Sequence, residues 1–231
     1  MDITSDPSGY WDRSASSKIF AHPLDHARFV RTVPRDAPIL DYGCGHGRLC
    51  DELALLGFRD VRGVDSSPVM IQTARSRHPD LAFSVVERGA MPFPDASLGA
   101  VLLFAVLTCI ASPDDQKRLI AEIHRVLRPG GCLLISDYPL QHDARNRDRY
   151  ERDHEEFGLY GTFRLVDGAV VRHHPPEWFT ELLAEFNVDA CIEREAATMN
   201  GNPANIQQWW ATKPGPAAKA TGPSLRQELP T

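Results

Sequence analysis

Several features that mark other classes of protein are missing from this 231-residue sequence. No apolar run reaches the roughly 18 residues that a membrane-spanning helix needs. The opening residues, MDITSDPSGYWDRS, contain no basic segment followed by an apolar one, as a signal peptide would. The five cysteines are odd in number and form no CxxC pair, which argues against a disulfide framework and against a zinc site. We therefore expect reduced thiols, a cytoplasmic location and no bound metal.

An excess of positive charge is also missing. The sequence has 25 basic and 31 acidic residues, and its formal net charge at pH 7 is −6. Such a chain has no overall positive field to collect nucleic acid or anionic lipid, although the sequence leaves a local basic patch open. We therefore expect no nucleic-acid partner and no membrane partner, whereas a homodimer is compatible with the composition.

What the sequence does contain is a regular alternation of short apolar runs and longer amphipathic runs. Two of the amphipathic runs begin with a serine followed by proline, at Ser67 and Ser112, as expected for a helix N-cap and first helical residue. Such strand–helix repeats indicate parallel strands joined by right-handed crossovers. We predict an α/β fold, a doubly wound, Rossmann-like, mostly parallel seven-stranded sheet with helices on both faces. The segments CIEREAAT and NIQQWWAT are expected to supply its closing strands.

Three segments lie outside this alternation. Residues 9–32 are predicted to be helical, and residues 213–231, rich in proline, alanine and glycine, to be a disordered tail. Residues 139–174 carry a charge-rich run and then TFRLVDGAVVR, which predicts a hairpin with a type I′ turn at Asp167-Gly168. We expect a single domain over residues 1–212, into which residues 139–174 are inserted as a cap.

The stretch ILDYGCGHGRL places glycines at every second position after the first predicted strand. Glycines in such a cluster allow a tight turn and a close approach of a ligand. Dinucleotide-binding proteins prefer GxGxxG, whose third glycine would fall where this chain has Arg48. That mismatch disfavours NAD, and Asp41 at the head of the loop instead suits a ligand with a cationic amine.

Four segments in order then resemble the successive motifs of one family. ILDYGCGHGRL, VRGVDSSPVMIQTAR, MPFPDASLGAVLLFAVLTCI and IHRVLRPGGCLLISD, within residues 38–137, are similar to those of the class I S-adenosylmethionine-dependent methyltransferases. The resemblance implies S-adenosylmethionine as cofactor. It also implies methyl transfer as the activity, and the cap suggests a small-molecule acceptor.

The resemblance further implies a set of cofactor contacts. The glycine loop would surround the methionine moiety, Asp65 would accept hydrogen bonds from the ribose hydroxyls, and Glu87 would receive the adenine amino group. The expected cofactor-binding residues are Tyr10, Trp11, Asp41, Gly43, Gly45, Gly47, Asp65, Ser66, Met70, Glu87, Arg88 and Phe104. Cys44 and His46, inside the loop, are expected to contribute backbone contacts and packing.

A general base, if the reaction uses one, is expected in or beside the cap. An imidazole titrates near neutrality and accepts a proton from a hydroxyl, thiol or acidic carbon. The catalytic candidates are His142, His173, His174 and Tyr138, and Arg145, Tyr150, Tyr160 and Trp178 are candidates for lining the same pocket.

Other functions stay open on the sequence alone. One is a methyltransferase that acts on RNA or protein, which the balanced charges of the cap disfavour. Another is a nicotinamide-dependent oxidoreductase, and a third is a non-catalytic module that binds S-adenosylmethionine and regulates a partner.

Overall fold

The computed structural model describes residues 7–14 and 21–215. Residues 216–231 of the predicted tail and residues 15–20 of the predicted N-terminal helices lie outside this description. The helices are α1 (Pro7–Ser14), α2 (His26–Thr32), α3 (Arg48–Leu55), α4 (Pro68–Arg77), α5 (Pro113–Val126), α6 (Ala144–Phe157) and α7 (Pro176–Leu182). The strands are β1 (Ile39–Tyr42), β2 (Val61–Asp65), β3 (Ala82–Val85), β4 (Leu98–Phe104), β5 (Leu127–Asp137), β6 (Thr162–Arg164), β7 (Val170–Arg172), β8 (Asn187–Ala197) and β9 (Pro203–Thr212). Within these ranges, no helix combines the length and the hydropathy that crossing a bilayer requires.

Seven of the strands form one sheet, in the order β3-β2-β1-β4-β5-β9-β8. The pairs from β3 through β5 are parallel, whereas β9 pairs antiparallel with both β5 and β8. The predicted α/β sheet is therefore confirmed, including its two closing strands. The strand order reverses beside β1, and in such sheets a crevice for ligands opens at the carboxyl ends of the strands flanking that point.

The sheet buries apolar side chains on both faces. Within β4, Val101 and Leu103 pack into one apolar cluster, and Ala100 and Leu102 pack into another on the opposite face. The sequence of such a strand is a continuous apolar run, because neither face of the strand is exposed to water. This arrangement places β1 and β4 at the centre of the sheet, between apolar clusters on both faces.

The predicted helix starts are present where serine precedes proline. The Ser67 hydroxyl accepts a hydrogen bond from the Met70 N–H at 3.1 Å, and the Ser112 hydroxyl accepts one from the Asp115 N–H at 3.3 Å. Each side chain satisfies a backbone donor that the first turn of a helix leaves free. The Ser67 N-cap of α4 matters for the site because it fixes the segment that follows β2.

The cap, residues 139–174, contains α6 and an antiparallel hairpin of β6 and β7. The predicted type I′ turn is wrong: Gly168 has a φ of +92°, but Asp167 is not among the residues with positive φ, and type I′ needs two such residues. The Gly168 N–H instead donates to the Leu165 carbonyl at 2.9 Å, so a longer loop places only the glycine in the left-handed region.

Candidate active site

A large cavity opens at the carboxyl ends of β1, β2, β4 and β5, beneath the cap. Its walls come from the glycine loop, from the loops after β2 and β4, from the cap, and from the turn between β8 and β9. The sequence-predicted residues that line it are Trp11, Asp41, Gly43, Gly45, Asp65, Ser66, Met70, Arg88, Phe104, Tyr138 and His173, together with Cys44, His46 and Arg145.

The glycine loop depends on left-handed backbone at alternate positions. Gly43, Gly45 and Gly47 have φ values of +76°, +53° and +88°, a region that side chains other than glycine's rarely adopt. A Cβ at Gly43 would lie 2.6 Å from Cγ2 of Val106. Gly47 does not line the cavity, and a Cβ there would lie 2.7 Å from the Phe83 ring, so this glycine serves the packing at the start of α3.

Asp65, at the end of β2, is held by two backbone donors. Its Oδ2 accepts from the Gly45 N–H at 2.9 Å, and its Oδ1 accepts from the Ser67 N–H at 2.8 Å. Burial raises the pKa of this carboxyl group, and the backbone hydrogen bonds oppose that shift. Each oxygen keeps a second lone pair, so the side chain is oriented and still able to accept from a diol.

Asp41 is the buried carboxyl group beside the same loop. The Cys50 thiol donates to its Oδ2 at 3.6 Å, and its side chain is almost fully shielded from solvent. Burial raises the pKa of Asp41 to about 7, although the nearby charge of Arg48 lowers it. An approaching cation would favour the ionised form, so the site fits an amine.

His22 also lines the cavity, and sequence reasoning missed it. Its Nδ1 lies 3.1 Å from the Ser136 carbonyl oxygen, to which it donates, and its ring packs edge-on against Tyr138. Nε2 is buried and has no hydrogen-bond partner among the described residues. Burial lowers the pKa of His22 to about 4, so this imidazole is neutral near pH 7. No motif surrounds His22, so no sequence signal distinguished it from a surface histidine.

On the cap side, His173 is buried among aromatic rings. It stacks on Tyr138 with the ring centroids 5.2 Å apart. The Tyr150 hydroxyl accepts from the Gln141 N–H at 3.1 Å and lies 2.5 Å from His173 Nδ1. Burial lowers the pKa of His173 well below its usual value, so the ring is neutral near pH 7 and is a weak base.

Other predicted site residues lie elsewhere. His174 is buried outside the cavity, where it accepts from the Gln116 side-chain amide at 2.8 Å and burial lowers its pKa to about 3. His142 and Glu87 are both exposed, and neither lines the cavity. The catalytic roles of His142 and His174 and the adenine contact of Glu87 stay predictions, for residues that lie outside the lining of this cavity.

Tyr10 joins two segments at the rim of the cavity. It does not line the cavity itself, but its hydroxyl donates to Asp167 Oδ2 at the hairpin tip, at 2.9 Å. Its neighbour Trp11 packs against it and lines the cavity. Helix α1 and the cap therefore meet across the opening.

Among the described residues, no group of three or more histidine, cysteine, aspartate or glutamate side chains is arranged to hold a metal ion. Cys44, Cys50, Cys109, Cys132 and Cys191 are all free thiols, of which Cys191 is exposed.

Comparison with known proteins agrees with this fold. Residues 40–135 match the family model of a methyltransferase domain. A solved S-adenosylmethionine-dependent methyltransferase from Methanosarcina mazei superposes with a TM-score of 0.78 at 25% identity, covering 84% of this chain and 99% of that one. Residues 40–135 are thus similar to a methyltransferase domain, and the chain shares its fold with a solved S-adenosylmethionine-dependent methyltransferase.

Two curated relatives differ from each other in what they act on. The human eEF1A lysine and N-terminal methyltransferase is 33% identical over 111 residues, which cover 44% of this chain and 16% of that protein. The demethylmenaquinone methyltransferase of Chlorobaculum tepidum is 32% identical over 141 residues, which cover 61% of this chain and 54% of that protein. The matched segment spans only about half, or less, of these relatives, so they do not identify the acceptor.

Proposed function

We propose that this chain transfers a methyl group from S-adenosylmethionine to a small-molecule acceptor enclosed beneath the cap. One observation carries the proposal: the same cavity is lined by Gly43 and Asp65 of the cofactor loops and by Phe163 and His173 of the cap. A cofactor and a small acceptor that share one cavity meet directly, as a displacement reaction requires.

The residues present fit this cofactor. Asp65 keeps lone pairs for the ribose hydroxyls, Asp41 offers a counter-charge for the amino group, and Gly43 leaves no room for a side chain beside Val106. S-adenosylmethionine supplies an activated methyl group on a sulfonium. The chain's own contribution is then to bind, orient and shield the reactants, and such alignment lowers a barrier by up to about 7–11 kcal/mol.

The predicted catalytic residues on the cap side are not ready proton acceptors at neutral pH. Burial raises the pKa of the Tyr138 phenol and lowers the pKa of His173, so the phenol keeps its proton and the imidazole is a weak base. We therefore propose alignment and exclusion of water, rather than a fixed general base, as the main source of rate enhancement.

The first test is cofactor binding, which is measured as the change in thermal unfolding when S-adenosylhomocysteine is added. At about 100 times its dissociation constant the ligand should add roughly 2.7 kcal/mol of stability. Asp65→Ala should abolish this gain, whereas Asp80→Ala, at an exposed position, should keep it. Stabilisation by NAD instead would contradict the proposal.

The second test is turnover. Release of S-adenosylhomocysteine from S-adenosylmethionine should require small-molecule acceptors. Incorporation of labelled methyl groups into protein substrates but not into small molecules would favour the alternative of a protein methyltransferase. Binding without turnover on either class of acceptor would favour a non-catalytic regulator.

A further inference from the structure

Charge is divided unequally between the two ends of the cavity. The carboxylates that line it, Asp41 and Asp65, both belong to the cofactor end, where Arg48 and Arg88 also line the cavity and balance them. Among the lining residues of the cap and of the β8–β9 turn, the charged side chains are Arg145 and Arg149, with no carboxylate among them. His173 is neutral there, because burial lowers its pKa. The acceptor end of the cavity therefore carries an excess of positive charge.

Helix α6 brings the two arginines together. Residues four apart lie on the same face of a helix, so Arg145 and Arg149 point toward the same side of α6, and like charges at this spacing repel each other. Asp143 is the carboxylate nearest to Arg145, with its Oδ1 3.9 Å from Nε. That carboxylate also caps α6 by accepting from the Asn146 N–H, and its single negative charge offsets only one of the two arginines.

Arg149 is positioned by packing rather than by an acid. Its guanidinium carbon lies 3.7 Å from the centre of the Phe163 ring, and its Nη2 donates to Asn146 Oδ1. Its Nε is buried, and residues 7–14 and 21–215 provide no hydrogen-bond partner for it. No ion pair of Arg149 is found in the described part of the chain. The Arg149 guanidinium, which is partly buried and has no carboxylate partner, is therefore suited to bind an anion from outside the chain.

The surroundings of the arginines are apolar. Phe163, Leu165 and Val171 of the cap and Met199 of the β8–β9 turn line the same end of the cavity. A ligand that filled it would need an apolar body as well as a negative group.

We propose, resting on the function proposed above, that the methyl acceptor is a small organic anion. Its carboxylate or phosphate binds Arg145 and Arg149, and its apolar body packs on Phe163, Leu165 and Val171. The anionic acceptor then occupies the end of the cavity where positive charge is in excess, whereas the charges that line the cofactor end are balanced.

The test measures binding of three matched probes to the full chain by calorimetry, with and without S-adenosylhomocysteine. The probes are phenylacetate, phenyl phosphate and the neutral phenylacetamide. At low salt, at least one of the anions should bind about tenfold more tightly than the amide, the effect of one charge-assisted hydrogen bond. The anion that binds more tightly identifies carboxylate or phosphate as the acceptor's charged group.

Variants assign the effect to the two arginines. Arg145→Gln and Arg149→Gln should each weaken anion binding about tenfold and leave amide binding unchanged. Arg147→Gln is the matched control, because Arg147 lies on the same helix but is exposed and does not line the cavity. If Arg149→Gln does not fold, the exposed Arg145 decides the question alone.

Two results would overturn the inference: equal binding of anions and amide, or an equal loss in Arg147→Gln and the two cavity variants. The titration of S-adenosylhomocysteine separates this from the proposed function. Failure of that ligand to bind contradicts the proposed function, while the anion comparison still decides whether the arginine subsite exists.

Discussion

The two ends of the cavity are built by different physical means. The cofactor end uses backbone geometry: left-handed glycines, a carboxylate held by two N–H groups, and strand ends fixed by the sheet. The cap end uses the packing of side chains from segments far apart in the chain, such as Tyr138, Tyr150 and His173. Backbone-built sites leave a local pattern in the sequence, whereas packed sites do not. We therefore expect a substitution at one end of the cavity to leave ligand binding at the other end unchanged.

The largest expected effect concerns the buried carboxyl group of the cofactor end. The pKa of Asp41 rises from 3.8 to about 7 on folding. The folded protein therefore holds this proton at pH values where the unfolded chain has lost it, and stability falls as the pH rises from about 4 to about 7. Relative to wild type, Asp41→Asn should gain on the order of 4 kcal/mol across that range. Denaturant unfolding of both proteins without ligand, at several pH values, measures the gain.

Asp80→Asn serves as the control, because it removes an exposed carboxylate. Its stability difference from wild type should not change with pH. Parallel pH profiles for wild type and Asp41→Asn would show that Asp41 does not carry the buried proton.

Alanine substitution of one glycine at each end should have a smaller effect on stability and should affect ligand binding at that end only. Gly43 and Gly161 both have positive φ, of +76° and +90°. A Cβ at Gly161 would meet the His173 carbonyl oxygen and lie 2.8 Å from Leu140 Cδ2. Alanine at either site should cost roughly 1–2 kcal/mol from backbone conformation alone, and contacts add to that cost. Gly43→Ala should weaken binding of S-adenosylhomocysteine, and Gly161→Ala should weaken binding of the anionic probes.

Gly130→Ala supplies the reference for conformation without contacts. Gly130 has a φ of +77°, and no atom of the described chain outside its immediate neighbours lies within 4 Å of the position that a Cβ would take. Calorimetry on folded protein measures the binding of both ligands. If Gly43→Ala and Gly161→Ala each lost binding of both S-adenosylhomocysteine and the anionic probes, the two ends would not be independent.

The smallest effect is expected at the boundary between the ends. Ala105 follows β4, lines the cavity and has a φ of +55°. Glycine relieves this conformation but adds freedom to the unfolded chain, so Ala105→Gly should gain about 0.5–1 kcal/mol. Ala96→Gly, with a φ of +50° at an exposed position, should show a similar gain. A loss of stability in Ala105→Gly alone, by thermal unfolding, would mean that the Ala105 methyl group is needed for packing.

The agreement between sequence and structure follows the same division. The starts of α4 and α5 were predictable because Ser67 and Ser112 cap their own helices, a contact within three residues. The position of Gly43 and Asp65 at the cavity was also predictable, because a glycine loop and the end of a strand are both visible in a short stretch of sequence. The buried position of His174 was not predictable, since it depends on Gln116 and Phe179 from other elements. The separate environments of His173 and His174 arise only when the cap folds onto β5.

The position of β9 has a consequence for how the chain is made. Residues 203–212 form an interior strand, paired with β5 on one side and β8 on the other. The ribosome releases β8 before β9, so β5 keeps an unpaired apolar edge until almost the whole sheet has been synthesised. Such an edge pairs readily with other chains. Newly made copies are therefore most prone to aggregation in the interval just before their last strand emerges, and a chain shortened within residues 203–212 would never leave that state.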